Sequence, residues 1–324
     1  MSDSDGLICA YVLDGGGAGR PVDWAGIKDW RETDGPLWVH LDRKGADSMA
    51  WLTADGGLPE GISHALLTEE TRPNCEVLDD GLLLILRGVN LNPGADPEDM
   101  VALRIWVERT RVITVRHRKL SAVDDLRQAM ERGHGPHSIP QLVVTLAAKL
   151  IERMGPTISA LEDEVDGLET KVLTAASRPV RHHLHSLRHQ AVDLRRYIAP
   201  QREAMARLML DDAGWFDRAD RLRLRDIADN ITRYVEALDA ARERAALIQE
   251  ELTSRLSEEM NKTMYFLSIV ATIFLPLGFL TGLLGVNVAG MPGTANALAF
   301  PLVCVLLVGI GVLEYWLFKR LKWL

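Results

Sequence analysis

Two long runs free of charge restrict what this chain can fold into more than any other feature. The first, "MYFLSIVATIFLPLGFLTGLL", covers Met264 to Leu284, 21 residues without an acidic or basic side chain. As a helix rising about 1.5 Å per residue it would be roughly 31 Å long, the thickness of a bilayer's hydrocarbon core. The second, "ALAFPLVCVLLVGIGVLEYWLF", covers Ala297 to Phe318, 22 residues with Glu314 as the one charge. Core helices of soluble proteins are seldom this long and uninterrupted, so both runs are expected to cross a membrane. Between them lies "GVNVAGMPGTAN", residues 285–296, with no Asp, Glu, Lys, Arg, His or Cys.

The flanks set an orientation. Arg255 and Lys262 precede the first run, and Lys319, Arg320 and Lys322 follow the second, while the connecting loop has no positive charge. The positive-inside rule therefore expects both termini in the cytoplasm and the loop outside, too short to form a domain. The N-terminus "MSDSDGLICAYVLDGGG" lacks a basic start and an apolar stretch of useful length, so no signal peptide is expected. Cys9, Cys75 and Cys304 are odd in number and far apart, which rules out a disulfide framework and suits a reducing cytosol. A net charge of −8 argues against nucleic acid as a partner, because binding phosphates needs a basic face.

Residues 1–138 read as a mixed α/β domain. "LICAYVL", "PLWVHLD", "NCEVLDDGLLLILRGVN", "VALRIWVERT" and "RVITVRHR" are short apolar or alternating runs punctuated by Gly, Pro and Asp, as strands are. The last two form a hairpin turning near Arg109–Arg111. "PEGISHALLTEETRP" suggests a helix closed by Pro73. "DGGGAGRP" reads as a loop only, since it lacks the Gly-Lys-Ser/Thr ending of a phosphate-cradling loop.

Residues 139–262 read as helical, in segments Pro140–Ala176, Pro179–Leu210 and Asp217 onward, with Pro156 and Pro200 predicting kinks. In the third segment Ile227, Ile231, Tyr234, Leu238, Ala241, Ala245, Ile248 and Leu252 step by 4, 3, 4, 3, 4, 3, 4, a heptad seam for helix bundling. No Pro or Gly interrupts Leu222 to Leu275. One stalk helix of about 60 residues is thus expected to run into the membrane, within residues 263–324, and to need a bundle partner.

Two membrane helices cannot enclose an aqueous path alone. Moving a polar solute requires several copies around an axis, each contributing one helix. Continuing the seam into the membrane selects Met260, Met264, Leu267, Ala271, Leu275, Gly278 and Gly282 as pore-lining. Periodicity does not separate that stripe from a plain packing surface, and Thr263, Ser268, Thr272 and Thr281 on other faces are the alternative lining.

At this point the residues match a family. "MNKTMYFLSIVATIFLPLGFLTGLLGVNVAGMPG", with its Leu-Pro step before a Gly-x-Asn triplet, resembles the CorA superfamily of divalent-cation transporters. The basic ending "FKRLKWL" and the α/β domain followed by a long stalk fit the same family. The triplet Gly285-Val286-Asn287, with Val in the middle, is similar to the zinc-transporting ZntB branch, as are "GVNVAGMPG" and "EVLDDGLLLILRGVNLNPGADPEDM". The resemblance implies an α+β cytoplasmic domain with a long stalk helix and a two-helix transmembrane region, assembled as a homopentameric funnel in a bacterial inner membrane and surrounded by lipid. It also implies that Asn287 forms the outer ring, with Gly285 letting backbone carbonyls approach where the helix ends. Small divalent ions shed water reluctantly, and a ring of amide oxygens can face a hydrated ion without trapping it. Two departures stand out. Magnesium members commonly carry an acid just after the triplet, which this loop lacks, and a hydroxyl in the first span, where Gly278 aligns.

The divalent cation is expected as cargo, with no cofactor. Zinc is usually gripped by Cys or His, and neither occurs in the first span or the loop, so the ion is expected to pass hydrated. "RHHLHSLRH" sets His182, His185 and His189 on one helical face, either a zinc site or a solvated basic face beside Arg181 and Arg188; His134 and His137 add two more imidazoles. Glu250, Glu251, Glu258 and Glu259 would form cation-concentrating rings in an assembly or remain solvated charges; Glu250 aligns with an acidic position implicated in ion sensing. The acidic stretch "LEDEVDGLE" reads as a solvated face or a metal site. Glu314 lies about a turn from Lys319, where it can snorkel or pair at the inner interface or, alternatively, serve a proton-coupled mechanism. The competing classes are a magnesium or cobalt channel of the same superfamily, a non-conducting membrane-anchored sensor or scaffold, and an anchored enzyme. No HExxH, GxSxG, Walker or dinucleotide motif supports the last.

Overall fold

The computed structural model describes residues 5–78, 81–174, 178–210, 214–286, 293, 296 and 298–320. It divides into two units, Met1–Glu250 and Glu251–Leu324.

The first unit is built on a seven-stranded sheet of β1 (Leu7–Leu13), β2 (Gly19–Pro21), β3 (Leu37–Asp42), β4 (Asn74–Leu78), β5 (Gly81–Gly88), β6 (Val101–Val107) and β7 (Arg111–Arg116), in the order β2-β1-β3-β7-β6-β5-β4. β3 and β7 run parallel, and the other neighbours pair antiparallel. The expected hairpin is present: β6 and β7 pair from Val107↔Val112 to Leu103↔Arg116. "DGGGAGRP" is not only loop, because its last residues form β2 on the edge of β1, where Pro21 needs no ladder partner on its outer side.

Every residue of β6 is buried, as expected for a strand covered on both faces. On one face Trp106, Val39, Leu41 and Ile113 pack with Ile27 of α1 (Trp24–Asp29), with Leu52 in the turn after α2 (Ala46–Ala50), and with Ile62 and Leu66 of α3 (Glu60–Leu67). α3 ends at Leu67 rather than at Pro73: Thr68 is already extended, and its hydroxyl and N–H both bond back to the His64 carbonyl. On the other face lie α4 (Ser121–Glu131) and α5 (Ile139–Glu152). Gly88 permits this approach, since a Cβ there would stand 2.8 Å from Leu150 of α5.

His40 and Thr114 are buried on β3 and β7. The Thr114 hydroxyl donates to the Val39 carbonyl at 3.2 Å, so it accepts from Trp38 Nε1 at 2.9 Å and from His40 Nδ1 at 2.8 Å. That fixes the Nδ1–H tautomer and leaves Nε2 without a hydrogen-bond partner. Burial, followed by the charges of Arg116 and Arg127, pushes the His40 pKa well below its ordinary value, so the ring is neutral.

The helical part begins with Ser138 capping α5 at the Gln141 N–H. The segment from Pro140 is not one kinked helix: it breaks at Arg153–Met154, and Pro156 opens α6 (Gly155–Thr174), because Pro suits a first turn where its missing N–H has no partner to lose. α7 (Arg178–Met209) continues through Pro200 and lies along β4 and β5, where Gln201 Oε1 accepts from the Arg87 N–H at 3.0 Å.

α8 (Arg218–Leu284) is a single 67-residue helix, capped where Asp217 Oδ1 accepts from the Asp220 N–H at 2.7 Å. Its seam residues Ile227, Ile231, Leu238, Ala241, Ala245 and Ile248 are buried within this one chain. Arg195 of α7 pairs with Asp239 at 2.7 Å, Arg244 pairs with Asp166 of α6, and Tyr234 faces Gly155. The bundle partners of the stalk are thus α6 and α7 of the same chain. Over these residues the expected bundle partner is present within the chain itself.

The second unit holds the remainder of α8 and α9 (Ala299–Arg320). Both helices are long and apolar enough to cross a membrane, and none of either apolar window is buried. A soluble core helix would be covered, so both are candidate membrane spans.

Candidate ion path

Along α8 the proposed stripe is wholly uncovered: Met260, Met264, Leu267, Ala271, Leu275, Gly278 and Gly282 are all exposed, with Leu267 at 66% and Leu275 at 72%. Thr263, Ser268, Thr272 and Thr281 are exposed as well, while Ile269, Val270, Ile273, Pro276, Leu277 and Leu280 are half-buried, so exposure does not choose between the stripe and the hydroxyl-bearing alternative. The hydroxyls themselves are satisfied along the helix. Thr263 donates to Glu259 O at 3.0 Å, Thr272 to Ser268 O at 2.8 Å and Thr281 to Leu277 O at 2.9 Å. In hydrocarbon such back-bonding removes the penalty of a bare O–H. Pro276 has no N–H to give the Thr272 carbonyl, so the helix carries a freed acceptor one turn before Pro276.

α8 stops at Leu284. The Gly285 N–H closes the end on Thr281 O at 2.9 Å and Gly282 O at 3.2 Å, and a Cβ on Gly285 would sit 3.0 Å from the Thr281 oxygen. Glycine is favoured here because the backbone folds back tightly on its own last carbonyls. Val286 follows, exposed, and Asn287 lies outside the described residues.

The charged candidates are dispersed. Glu250, Glu258 and Glu259 are exposed, and Glu251 is held by Arg255 at 2.6 Å, one turn on. His182, His185 and His189 are exposed on α7; His185 and His189 meet edge to face at 4.4 Å, while His183 pairs with Glu164 at 3.2 Å. Among the described residues no three His, Cys, Asp or Glu side chains come together to hold a metal. The acidic stretch buries Leu161, Val165 and Leu168 and spends Glu164 on His183 and Asp166 on Arg244, the arrangement of a solvated face with ion pairs. Glu314 forms no ion pair with Lys319 among the described residues, and its Oε2 is buried without a partner. Arg320 stacks over Trp316 at 5.2 Å, an aromatic and basic end suited to a membrane interface.

Among the described residues this arrangement offers no nucleophile–base pair along the spans. It offers two uncovered apolar helices joined by a neutral loop. The family described as "CorA-like Mg2+ transporter protein" matches residues 33–320. The chain is 42% identical to the Divalent cation transporter CmaX of Pseudomonas aeruginosa, over 99% of this chain and 98% of that one. It is 36% identical to the Zinc transport protein ZntB of Pectobacterium carotovorum subsp. carotovorum, over 98% and 96%. The structure of full-length CmaX superposes with a TM-score of 0.87 at 41% identity, covering 99% of both chains. With a match of this extent, the chain belongs to the CorA-like Mg2+ transporter family.

Proposed function

We propose that this chain transports divalent metal cations across a membrane, with zinc as its cargo, as a homo-oligomer whose subunits each contribute α8 to a shared path. The observation that carries this reading is the pair of uncovered apolar helices flanking Gly285-Val286-Asn287, in a chain that is similar from end to end to a divalent cation transporter and to a zinc transport protein. In this reading residues 1–138 and 139–262 are cytoplasmic and residues 263–324 form the membrane region. Both termini face the cytoplasm, five copies surround the axis, and Asn287 rings the outer mouth. Met260, Met264, Leu267, Ala271, Leu275, Gly278 and Gly282 line the path, and Glu250 and Glu251 gather cations at its inner end. The lining has no Cys or His, so the cargo passes with its water, and selectivity rests on size and charge rather than on ligation.

Magnesium is the second reading, favoured by the description of the matching family. Liposomes holding the purified protein separate the two. Uptake of radioactive zinc should exceed that of magnesium at equal concentration and fall at least tenfold in Asn287→Ala. Equal or greater magnesium flux would transfer the cargo assignment, and zinc flux unchanged by Asn287→Ala would remove the mouth assignment. A pH gradient applied across the same liposomes reports whether proton flow drives the ion.

A further inference from the structure

The first unit contains a cavity of about 370 Å³ whose lining is dominated by charge: Arg87, Arg104, Arg118 and Arg196, with His117 and Tyr197, and Glu69, Glu98, Asp99 and Asp193. Its origin lies in the strand register. Arg104 of β6 faces Ile85 of β5, so Arg87, two residues along, is its diagonal neighbour on the same sheet face. Two guanidinium groups in otherwise apolar strands are thereby brought side by side.

Arg104 is 1% exposed. Its Nη2 donates to the carbonyls of Thr68 at 2.6 Å and Glu69 at 3.0 Å, while Nε and Nη1 are buried with no partner. The Glu69 carboxylate, 76% exposed, turns away to Arg43 at 3.1 Å. Arg87 is likewise held by carbonyls alone, donating to Thr71 O at 2.7 Å and Met100 O at 2.7 Å, with the Tyr197 ring at 4.0 Å. His117 adds a buried Nδ1 without a partner. Burial and the charges of Arg43 and Arg87 push the Arg104 pKa down to about 10, the sign of a cation lacking its counter-charge.

The Glu69 charge offsets this in part, but among the described residues no carboxylate forms an ion pair with Arg104. Besides Glu69, Glu98 accepts from the Gln190 amide at 3.0 Å, Asp193 lies 3.8 Å from Arg196, and Asp99 is exposed. The cavity thus has a buried cationic floor and acids at more exposed positions.

We propose that this cavity binds the oxyanion group of a small molecule, phosphate or carboxylate, against Arg104 and Arg87, with the remainder of the ligand neutral or cationic toward Glu98 and Asp99. The unpartnered Nε–H and Nη1–H of Arg104 lie on different edges of the guanidinium, so each can give an oxyanion one charge-assisted hydrogen bond, and the volume falls at the small end of ligand pockets. The site lies in the first unit and stands whichever ion the protein carries.

Calorimetric titration of the full-length protein in detergent tests it, with inorganic phosphate, acetate and AMP as probes and chloride at matched ionic strength as the reference. Phosphate or acetate should bind saturably where chloride does not, and the stronger of the two identifies the head group. AMP binding more tightly than phosphate would mark a phosphomonoester. Arg104→Lys keeps the charge but loses the Nε–H and Nη1–H donors and should weaken binding at least tenfold. Arg196→Gln changes a half-exposed group, leaves the fold intact and should weaken it severalfold. Binding no stronger than chloride overturns the proposal, and so does equal affinity in both variants. If a carboxylate of a second copy fills the cavity instead, the assembled protein gives the first of these negative results.

Discussion

Between Ile227 and Ile248 the seam positions of α8 are covered by α6 and α7, whereas none of residues 260–284 of the same helix is buried. The two stretches are equally helical, so propensity does not distinguish them. What differs is the supply of partners: the first stretch has salt links and buried apolar neighbours within its own chain, and among the described residues the second is at most half-buried. A helix needs such partners for most of its stability in water. The first unit is therefore a complete folding problem for one chain, and the second is complete only with lipid or further copies.

The most direct way to break this comparison is to remove the same side chain from each stretch. Leu238, 1% exposed, should lose about 2–5 kcal/mol as Leu238→Ala, through lost burial and the cavity left behind. Leu275→Ala, at a position 72% exposed, should change stability by less than about 0.5 kcal/mol in detergent. Thermal melts of the two full-length variants measure both. Equal losses would mean that the second stretch is packed as tightly as the first in the assembled protein.

A pH series sharpens the comparison, because a buried histidine sits in the first unit. His40 is neutral when folded, with its pKa pushed down, while the unfolded ring takes a proton near pH 6.5. Below that pH the unfolded state binds more protons, so stability must fall as pH falls, by up to about 1.4 kcal/mol per pH unit until the folded ring itself titrates. Arg116 and Arg127 remain charged throughout this range, and the Cys9 thiol, raised to about 12 by burial, remains neutral. His40→Asn should be flatter between pH 6.5 and 4.5 than the parent. An identical slope would assign the acid sensitivity elsewhere.

Much of this architecture is legible in the residues. The strands from Leu7, Leu37, Asn74, Val101 and Arg111 follow from β-branched and aromatic runs cut by Gly, Pro and Asp, and both spans follow from length and lack of charge. The break at Arg153–Met154 is less visible, since Pro156 can kink a helix or open one, and only the packing of α5 and α6 decides. The stalk's seam was readable as a seam, but a heptad pattern does not say whether its partner is the same chain or another. The anion cavity left a signal that went unused: one arginine inside "LLLILRG" and one inside "VALRIWV". A charge in a strand buried on both faces demands compensation, yet only the register reveals that the two share a face.

The smallest effect concerns the junction where α5 ends. Arg153 donates through Nε and Nη2 to both oxygens of Asp125 on α4, at 2.7 and 2.6 Å. The paired hydrogen bonds hold the Asp125 carboxyl below the ordinary carboxylate range and raise Arg153. Both side chains are about one-third exposed, so water screens the pair, and its contribution belongs with surface ion pairs rather than buried ones. Asp125→Asn should therefore lower stability by about 1 kcal/mol at neutral pH. A carboxylate with a depressed folded pKa stabilises fully above its unfolded value near 3.9 and loses that contribution as pH falls through the folded value. The gap between parent and variant should thus close in acid and narrow in high salt, where the charges are screened. A gap that persisted at pH 2 would make the pair a matter of shape rather than charge, and would place this end of α5 among the packed contacts of the first unit.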